Sequence, residues 1–436
     1  MQHILNLSAR AMVQHMARRD FSAEALVRAC LERIEAHEPH VRAWQFLDPA
    51  LALAQARRLD AGAATGALHG LPIGVKDLMD TADMPTGYGS PIYAGYRPRT
   101  DAACVAASRA AGAIVMGKTV STEFATYRPG ATANPRAPLD APRTPGGSSS
   151  GSAAAVAAGM VPLAFASQTA GSIVRPAAYC GIVGYKPTHG TLALAGIKSL
   201  APSLDTVGVL ARSVDDAAFF VGILARLQLL PDAVVPTRLR VGICHTPHWA
   251  RASNAARQSL ADAAQLLEQA GATVCDLALP APCDGLTAAQ IDIMGFEASL
   301  AFAPEVHASP EALSAEFTAL LALGRAVDGS RYVAAQRLAD RARQSFEALF
   351  ATVDIVLAPS TEGEAPAGLG ATGDPIFNRL WTLLGNPCVH VPLGTGPAGM
   401  PLGVTLIGPR YGDAQTLTAA STLERCASDF FDRSVA

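Results

Sequence analysis

Residues 143–185 read RTPGGSSSGSAAAVAAGMVPLAFASQTAGSIVRPAAYCGIVGY. Two glycine–serine turns bracket an apolar run of small residues; Ser148 opens the first turn and Ser172 sits in the second. Between them the pattern predicts a helix followed by a strand. Small residues let backbone approach backbone, which suits a site made of amide N–H groups and hydroxyls. What the stretch lacks is a base. The first half of the chain offers one: LPIGVKDLMD at 71–80 reads as a buried strand over 71–75 with Lys76 directly at its end.

Outward from this centre, strands and helices alternate. Ser22 is placed to cap a helix over 22–37, with Leu26, Cys30 and Ile34 on one face. A second helix is expected over 49–59, a helix over 101–111 and a strand over 113–116. Pro129, Gly130, Pro135, Pro138, Pro142 and Pro145 make 129–147 a surface loop. Residues 198–210 read as turn-rich. Beyond them come a helix at 214–227, a strand at 239–244, a helix at 254–270 and a strand at 272–277. A mainly helical region extends to 350, and strands at 354–358, 388–391 and 403–407 precede a last helix at 413–426. This alternation predicts one large α/β domain spanning 1–436: a mixed, mostly parallel β-sheet covered by helices on both faces. Its catalytic core is expected at about 65–210, behind a helical packing segment at 1–60.

Composition narrows the function. Half of the 436 residues are hydrophobic and 16% are charged, against about 25% charged in ordinary globular chains, so the core is large and the surface modest. A net charge of −3 gives no support to nucleic acid or an anionic membrane as partner. The N-terminus has no apolar signal region, and the longest apolar run, 153–166, is too short to span a bilayer. The eight cysteines form no CxxC pair, which fits reduced thiols and a cytoplasmic location. His37–His40 and His245–His248 have HxxH spacing, but a proline lies inside each pair. They read as surface-loop histidines, so no metal site is expected.

Three patterns suggest other chemistry. Gly112–Thr119 matches G-x-x-x-x-G-K-T, but a phosphate cradle needs a strand before its first glycine, and here the residues between the glycines are themselves the strand. Gly147–Gly151 fits the G-x-S-x-G elbow, which needs a strand immediately before it; residues 135–146 carry four prolines and read as loop. Cys180 has a largely apolar setting and reads as a buried thiol. No histidine motif supports a Ser-His-Asp triad. Ser172 is the stronger nucleophile candidate, in a tight turn entering a short helix, where successive amides can converge on one oxygen. A serine that merely caps the helix would read the same way in isolation. Lys76 can act as base if burial leaves its amine neutral; the alternative left open by spacing is an ion pair with Asp77 or Asp80.

At this point GVKDL around Lys76, PGGSSSGSAAAVAAG at 145–159, QTAGSIVRPAAYCGIVGYKPT at 168–188 and TGDPIFNRLWTLLGNPCVHVPL at 372–393 resemble the amidase signature family. The resemblance implies a Ser-cisSer-Lys triad of Ser172, Ser148 and Lys76, with a cis peptide before Ser148. It also implies an oxyanion hole from the backbone amides of Thr169, Ala170, Gly171 and Ser172, and a supporting hydroxyl on Ser149. Two departures stand out from the family's common T-D-T-G-G-S-I-R: Gln168 replaces an acid, and Ala170 adds a methyl group beside the oxyanion site. The arginine is displaced by one place to Arg175, and this pattern, with NRLWTLLGNPC, is most similar to the malonamidase branch. There the matching arginine holds a substrate carboxylate, which a guanidinium fork suits by bidentate hydrogen bonding. The alternative for Arg175 is a structural pair with a nearby acid. Asp205, Asn378, Trp381 and Asn386 are expected to shape or brace the pocket.

The resemblance therefore implies an amidase that hydrolyses a small carboxylate-bearing primary amide, malonamate-like, to acid and ammonia through an acyl-serine, with acyl transfer to amines as a variant. It requires no cofactor or metal and leaves room for a homodimer. The alternatives are the glutaminase subunit of a tRNA-dependent amidotransferase, which needs partner subunits, and a carboxybiuret-type or neutral-amide hydrolase.

Overall fold

A computed structural model describes residues 2–231 and 239–435. Eleven strands form one sheet: β1 (Trp44–Leu47), β2 (Pro72–Lys76), β3 (Ile114–Thr119), β4 (Leu163–Gln168), β5 (Val183–Lys186), β6 (Thr206–Ala211), β7 (Arg240–Ile243), β8 (Thr273–Asp276), β9 (Ile355–Pro359), β10 (Cys388–Thr395) and β11 (Pro401–Ile407). Their order across the sheet is β1-β3-β2-β4-β6-β5-β10-β11-β9-β7-β8. β2, β3, β4, β6 and β9 are buried along their whole length, as a sheet covered on both sides requires. Flanking helices supply that cover: Pro49–Ala61 packs on β3, Val214–Ala225 on β6, Asn254–Gln269 on β9 and β11, and Asp413–Val435 on β10.

The expectation of a mostly parallel sheet needs correction. Parallel pairs occupy two separate zones, β3-β2-β4 and β9-β7-β8. Between these zones all five pairings are antiparallel, as is the edge pair β1-β3. The cause is partly β6. Its sequence, TVGVLA, follows the turn-forming SLAPSLD, whose turn signals mask the strand in the expected turn-rich stretch 198–210. It is a fully buried strand that runs antiparallel to both β4 and β5. β1 leaves no signal in the sequence, because four residues are too few to show a period.

Several helix starts follow their caps. Ser22 accepts from the Ala25 amide and starts Ala23–Val41, which tolerates Pro39 in its last turn and so runs past the expected end at 37. His37 and His40 consequently lie on this helix rather than in a loop. Asp48 and Ser253 cap Pro49–Ala61 and Asn254–Gln269 in the same way.

A second hydrophobic cluster lies over the end of the sheet that carries Lys76 and Ser172. It is built from helices Leu286–Ala301, Ala315–Arg325 and Gly329–Ala348, with Trp381 packed against Phe346 at 5.5 Å between ring centroids. The first two helices cross where Gly295 meets Gly324, and a Cβ on Gly324 would run into the Gly295 carbonyl. Met294 and Leu320, on either side of this crossing, face the candidate site. Gly324→Ala should therefore destabilise the chain by about 1–3 kcal/mol. Gly329→Ala, where a Cβ meets nothing, should be neutral or stabilising by up to about 1 kcal/mol. Denaturant midpoints of the two variants check this; equal effects would contradict the crossing as the cause.

Candidate active site

β2 ends in Lys76, whose side chain is fully buried. Its amine lies 2.7 Å from Ser148 Oγ and 2.9 Å from Ser167 Oγ, the latter on neighbouring β4. The acids that could have paired with it face elsewhere. Asp77 is ion-paired with Lys118 at 3.1 Å, and Asp80 accepts from the Tyr88 hydroxyl at 2.6 Å. Burial without a partner disfavours the charged form, so the Lys76 amine is held well below the ordinary lysine range. Asp205 partly opposes this shift and Arg175 adds to it.

Ser148 follows a cis peptide from Gly147, and helix Ser150–Ala157 begins two residues later. Ser149 Oγ lies 3.4 Å from both the amide and the carbonyl of Ser167, so it ties the helix start to β4 beside Lys76. No strand precedes Ser149 and its hydroxyl is buried, which removes the elbow reading. The P-loop-like segment is equally accounted for. Gly117, Lys118 and Thr119 lie in β3, and Lys118 donates to the Met79 carbonyl and the Thr86 hydroxyl while pairing with Asp77. Cys180 is buried, and the desolvation of its thiol pushes its pKa upward.

Ser172 lies in the turn between β4 and helix Val174–Cys180. Each carbonyl of that turn before Ser172 has a donor. Gln290 Nε2 donates to Thr169 O at 2.9 Å, Thr382 Oγ1 to Ala170 O at 2.7 Å, and the Arg175 amide to Gly171 O at 2.9 Å. Gln168 Oε1 accepts from the amides of Ile173 and Val174 at 2.9 and 3.1 Å, while its Nε2 donates to Thr382 at 2.9 Å. The acceptor oxygen does what an acid at this position would do, and the amide adds a donor that an acid lacks. The Thr169 hydroxyl donates to Asp205, which also accepts from Ser199 Oγ and the amides of Leu200 and Ala201. Against this bracing, the amides of Ala170, Gly171 and Ser172 have no acceptor among the described residues. Ser172 Oγ likewise has none there, so the structure joins Lys76, Ser148 and Ser167 directly but does not hydrogen-bond Ser148 to Ser172.

Ser172 opens on a small, partly enclosed cleft. Met294, Leu320 and Leu200 form its apolar wall, and Arg175, Arg379 and Tyr127 its polar side. Arg175 is buried and makes no ion pair among the described residues, so the structural-pair reading fails. Its Nη2 donates to the Gly147 carbonyl at 2.6 Å and to Thr372 Oγ1 at 3.3 Å, while Nε and Nη1 have no partner. Both bidentate edges of a guanidinium share Nη2, so the expected fork on Arg175 is already committed. Burial lowers its pKa to about 10. Asp374, the acid whose charge Arg175 feels, is 3.3 Å from Arg251.

Asn378 donates to the Ser360 carbonyl and Asn386 to the Gly408 carbonyl, and Trp381 packs on Phe346. All three brace rather than line the cleft. Ser167, Gln290, Thr382 and Arg379 were not identified from the sequence. The first sits in an apolar strand run, and the others lie 118, 210 and 207 residues from Ser172 with no local pattern (290 − 172, 382 − 172, 379 − 172).

A buried lysine on one serine hydroxyl, with a second serine in a turn of free amides, has the parts of a nucleophilic acyl-transfer site. The sequence model of the Amidase family matches residues 25–417, and the chain belongs to that family. It is 34% identical to the A-type subunit of the glutamyl-tRNA(Gln) amidotransferase of Nitratidesulfovibrio vulgaris (strain DP4), over 98% of each chain. Among solved structures it is similar to the peptide amidase of Stenotrophomonas maltophilia, with a TM-score of 0.81, 28% identity and 97% of both chains covered. A chain from a vestigial protein complex tied to the origins of an s-triazine catabolic enzyme aligns with a TM-score of 0.86 at 28% identity, covering 96% of this chain and 98% of that one.

Replacing Gln168 by Leu should leave two buried amides unpaired and cost about 1–3 kcal/mol, whereas Gln168→Glu, which keeps the acceptor, should cost less. Equal losses in urea denaturation would mean that the acceptor does not hold the turn.

Proposed function

We propose that the chain hydrolyses a small primary amide bearing a carboxylate, of the malonamate type favoured in the malonamidase branch. The observation that carries this is the cleft itself: Ser172 stands beside two buried arginines, and among the described residues no carboxylate lines the space. A substrate carboxylate would supply the missing charge.

In this reading neutral Lys76 takes a proton from Ser148, which takes one from Ser172 as Ser172 Oγ attacks the amide carbon. The developing oxyanion is received by amides of the turn Thr169, Ala170, Gly171 and Ser172. The protons return through Ser148 to the leaving nitrogen, ammonia departs, and water or another amine resolves the acyl-serine. Ser149 and Gln168 hold the two turns in register. The chain would work without cofactor in a reducing compartment, and the mechanism leaves room for a homodimer.

The glutaminase subunit is the second reading, favoured by the 34% identity to an amidotransferase chain of that type. Glutamine carries an α-ammonium as well as a carboxylate, and among the described residues no cleft-lining acid is present to receive it. Malonamate, succinamate, glutamine and a neutral amide of similar size, assayed with the isolated chain, separate the readings. Acid amides should be the best substrates; glutamine preferred over them, or turnover only with partner subunits, would overturn the proposal.

Activity requires unprotonated Lys76, so it should be lost as pH falls through the depressed Lys76 pKa and be retained at neutral pH. The Asp205 charge raises that pKa, so Asp205→Asn should move the acid limb of kcat/KM to lower pH whatever it does to the maximum. A limb that stays put or moves upward would mean another group is the base. Ser172→Ala should abolish acyl-adduct formation detected by mass spectrometry.

A further inference from the structure

Arg175 can offer a carboxylate only single hydrogen bonds. Its Nη2 belongs to both bidentate edges and is engaged by the Gly147 carbonyl and Thr372. What remains, Nε and Nη1, lies on different edges of the guanidinium. Arg379 is differently placed. It sits at the start of helix Arg379–Leu384, is 6% exposed, lines the same cleft as Ser172, and makes no ion pair among the described residues. Its Nη1 is fixed by Gln290 Oε1, and its Nη2 has only a long contact, 3.4 Å, to the Tyr127 hydroxyl. Its Nε has no partner among the described residues, so the Nε–Nη2 edge is open.

Two guanidiniums desolvated in one small cleft without a carboxylate are an uncompensated charge that a ligand anion would neutralise. We propose that Arg379 is the specificity-determining residue of this cleft. It grips the substrate carboxylate through its Nε–Nη2 edge while Arg175 adds a single hydrogen bond and keeps its hold on the Gly147 carbonyl. Gln290 orients the fork, since the same amide group donates to the Thr169 carbonyl. The substrate class is then a short acid amide whose carboxylate lies within a few bonds of the scissile carbonyl, because the serine and both arginines line one small cleft. This assignment rests on the acid-amide reading.

The test is the selectivity ratio, kcat/KM for malonamate or succinamate over kcat/KM for a neutral amide. The ratio is independent of the fraction of enzyme correctly folded. Arg379→Gln should lower it by more than about tenfold, the worth of a charge-assisted hydrogen bond pair. Arg379→Lys should lower it as well, because a point charge does not replace the fork. A ratio for Arg379→Gln within about threefold of wild type would overturn the assignment while leaving the acid-amide reading intact. If wild type hydrolyses only neutral amides, the reading itself fails, and malonate binding then decides the assignment. A rise in the wild-type Tm with malonate that Arg379→Gln abolishes supports it; no rise, or one that persists in the variant, refutes it. The same malonate measurement decides the matter if Arg379→Gln is inactive on every amide.

Discussion

A lysine amine hydrogen-bonded to two serine hydroxyls, with no carboxylate beside it, stays uncharged only while water is kept away. Much of the surrounding structure meets that condition. β2 delivers Lys76 between β3 and β4, where every strand residue is buried. Asp77 and Asp80, its chain neighbours, are occupied by Lys118 and Tyr88. A carboxylate turned toward the amine would stabilise the ammonium and abolish a base at neutral pH. The Asp77–Lys118 pair therefore matters to the site by keeping that acid engaged elsewhere.

The nucleophile turn obeys a complementary rule. Its carbonyls at Thr169, Ala170 and Gly171 and the two amides after Ser172 are engaged, by side chains that come from residues 168, 290 and 382 and by the Arg175 amide. The amides left without an acceptor are the ones that face an incoming oxygen in the proposed mechanism. Donors fixed before the reaction need no reorganisation during it, which is how such groups stabilise developing charge. Helix Leu286–Ala301 contributes both Gln290 to this bracing and Met294 to the cleft wall, so the helical layer and the sheet build the site together.

Lys76, Ser148 and Ser172 stand out in the sequence as candidates because each sits inside a local pattern, a strand end or a glycine–serine turn, while the choice of base and the part of Ser148 come from the family resemblance. The helix and strand between the serines, Ser150–Ala157 and Leu163–Gln168, could be read for the same reason. Residues that act across the fold leave no such trace. Gln290, Thr382 and Arg379 reach the site only after the chain has folded, and nothing near them in sequence announces a polar contact at Thr169, Ala170 or the cleft. Strand direction was hidden similarly, since TVGVLA carries no sign of which neighbour it will join. Arg175 is a candidate in the sequence, but the commitment of its Nη2 to the Gly147 carbonyl depends on a backbone contact that no motif encodes.

The protonation state of Lys76 is the most direct measure of this account. With lysine side chains labelled with ¹³C and ¹⁵N, NMR at neutral pH should show a neutral amine signal that disappears in Lys76→Met. The variant is needed because burial also lowers the pKa of Lys118 and Lys186. A Lys76 signal that stays in its ammonium form at neutral pH and titrates only in the ordinary lysine range would contradict it.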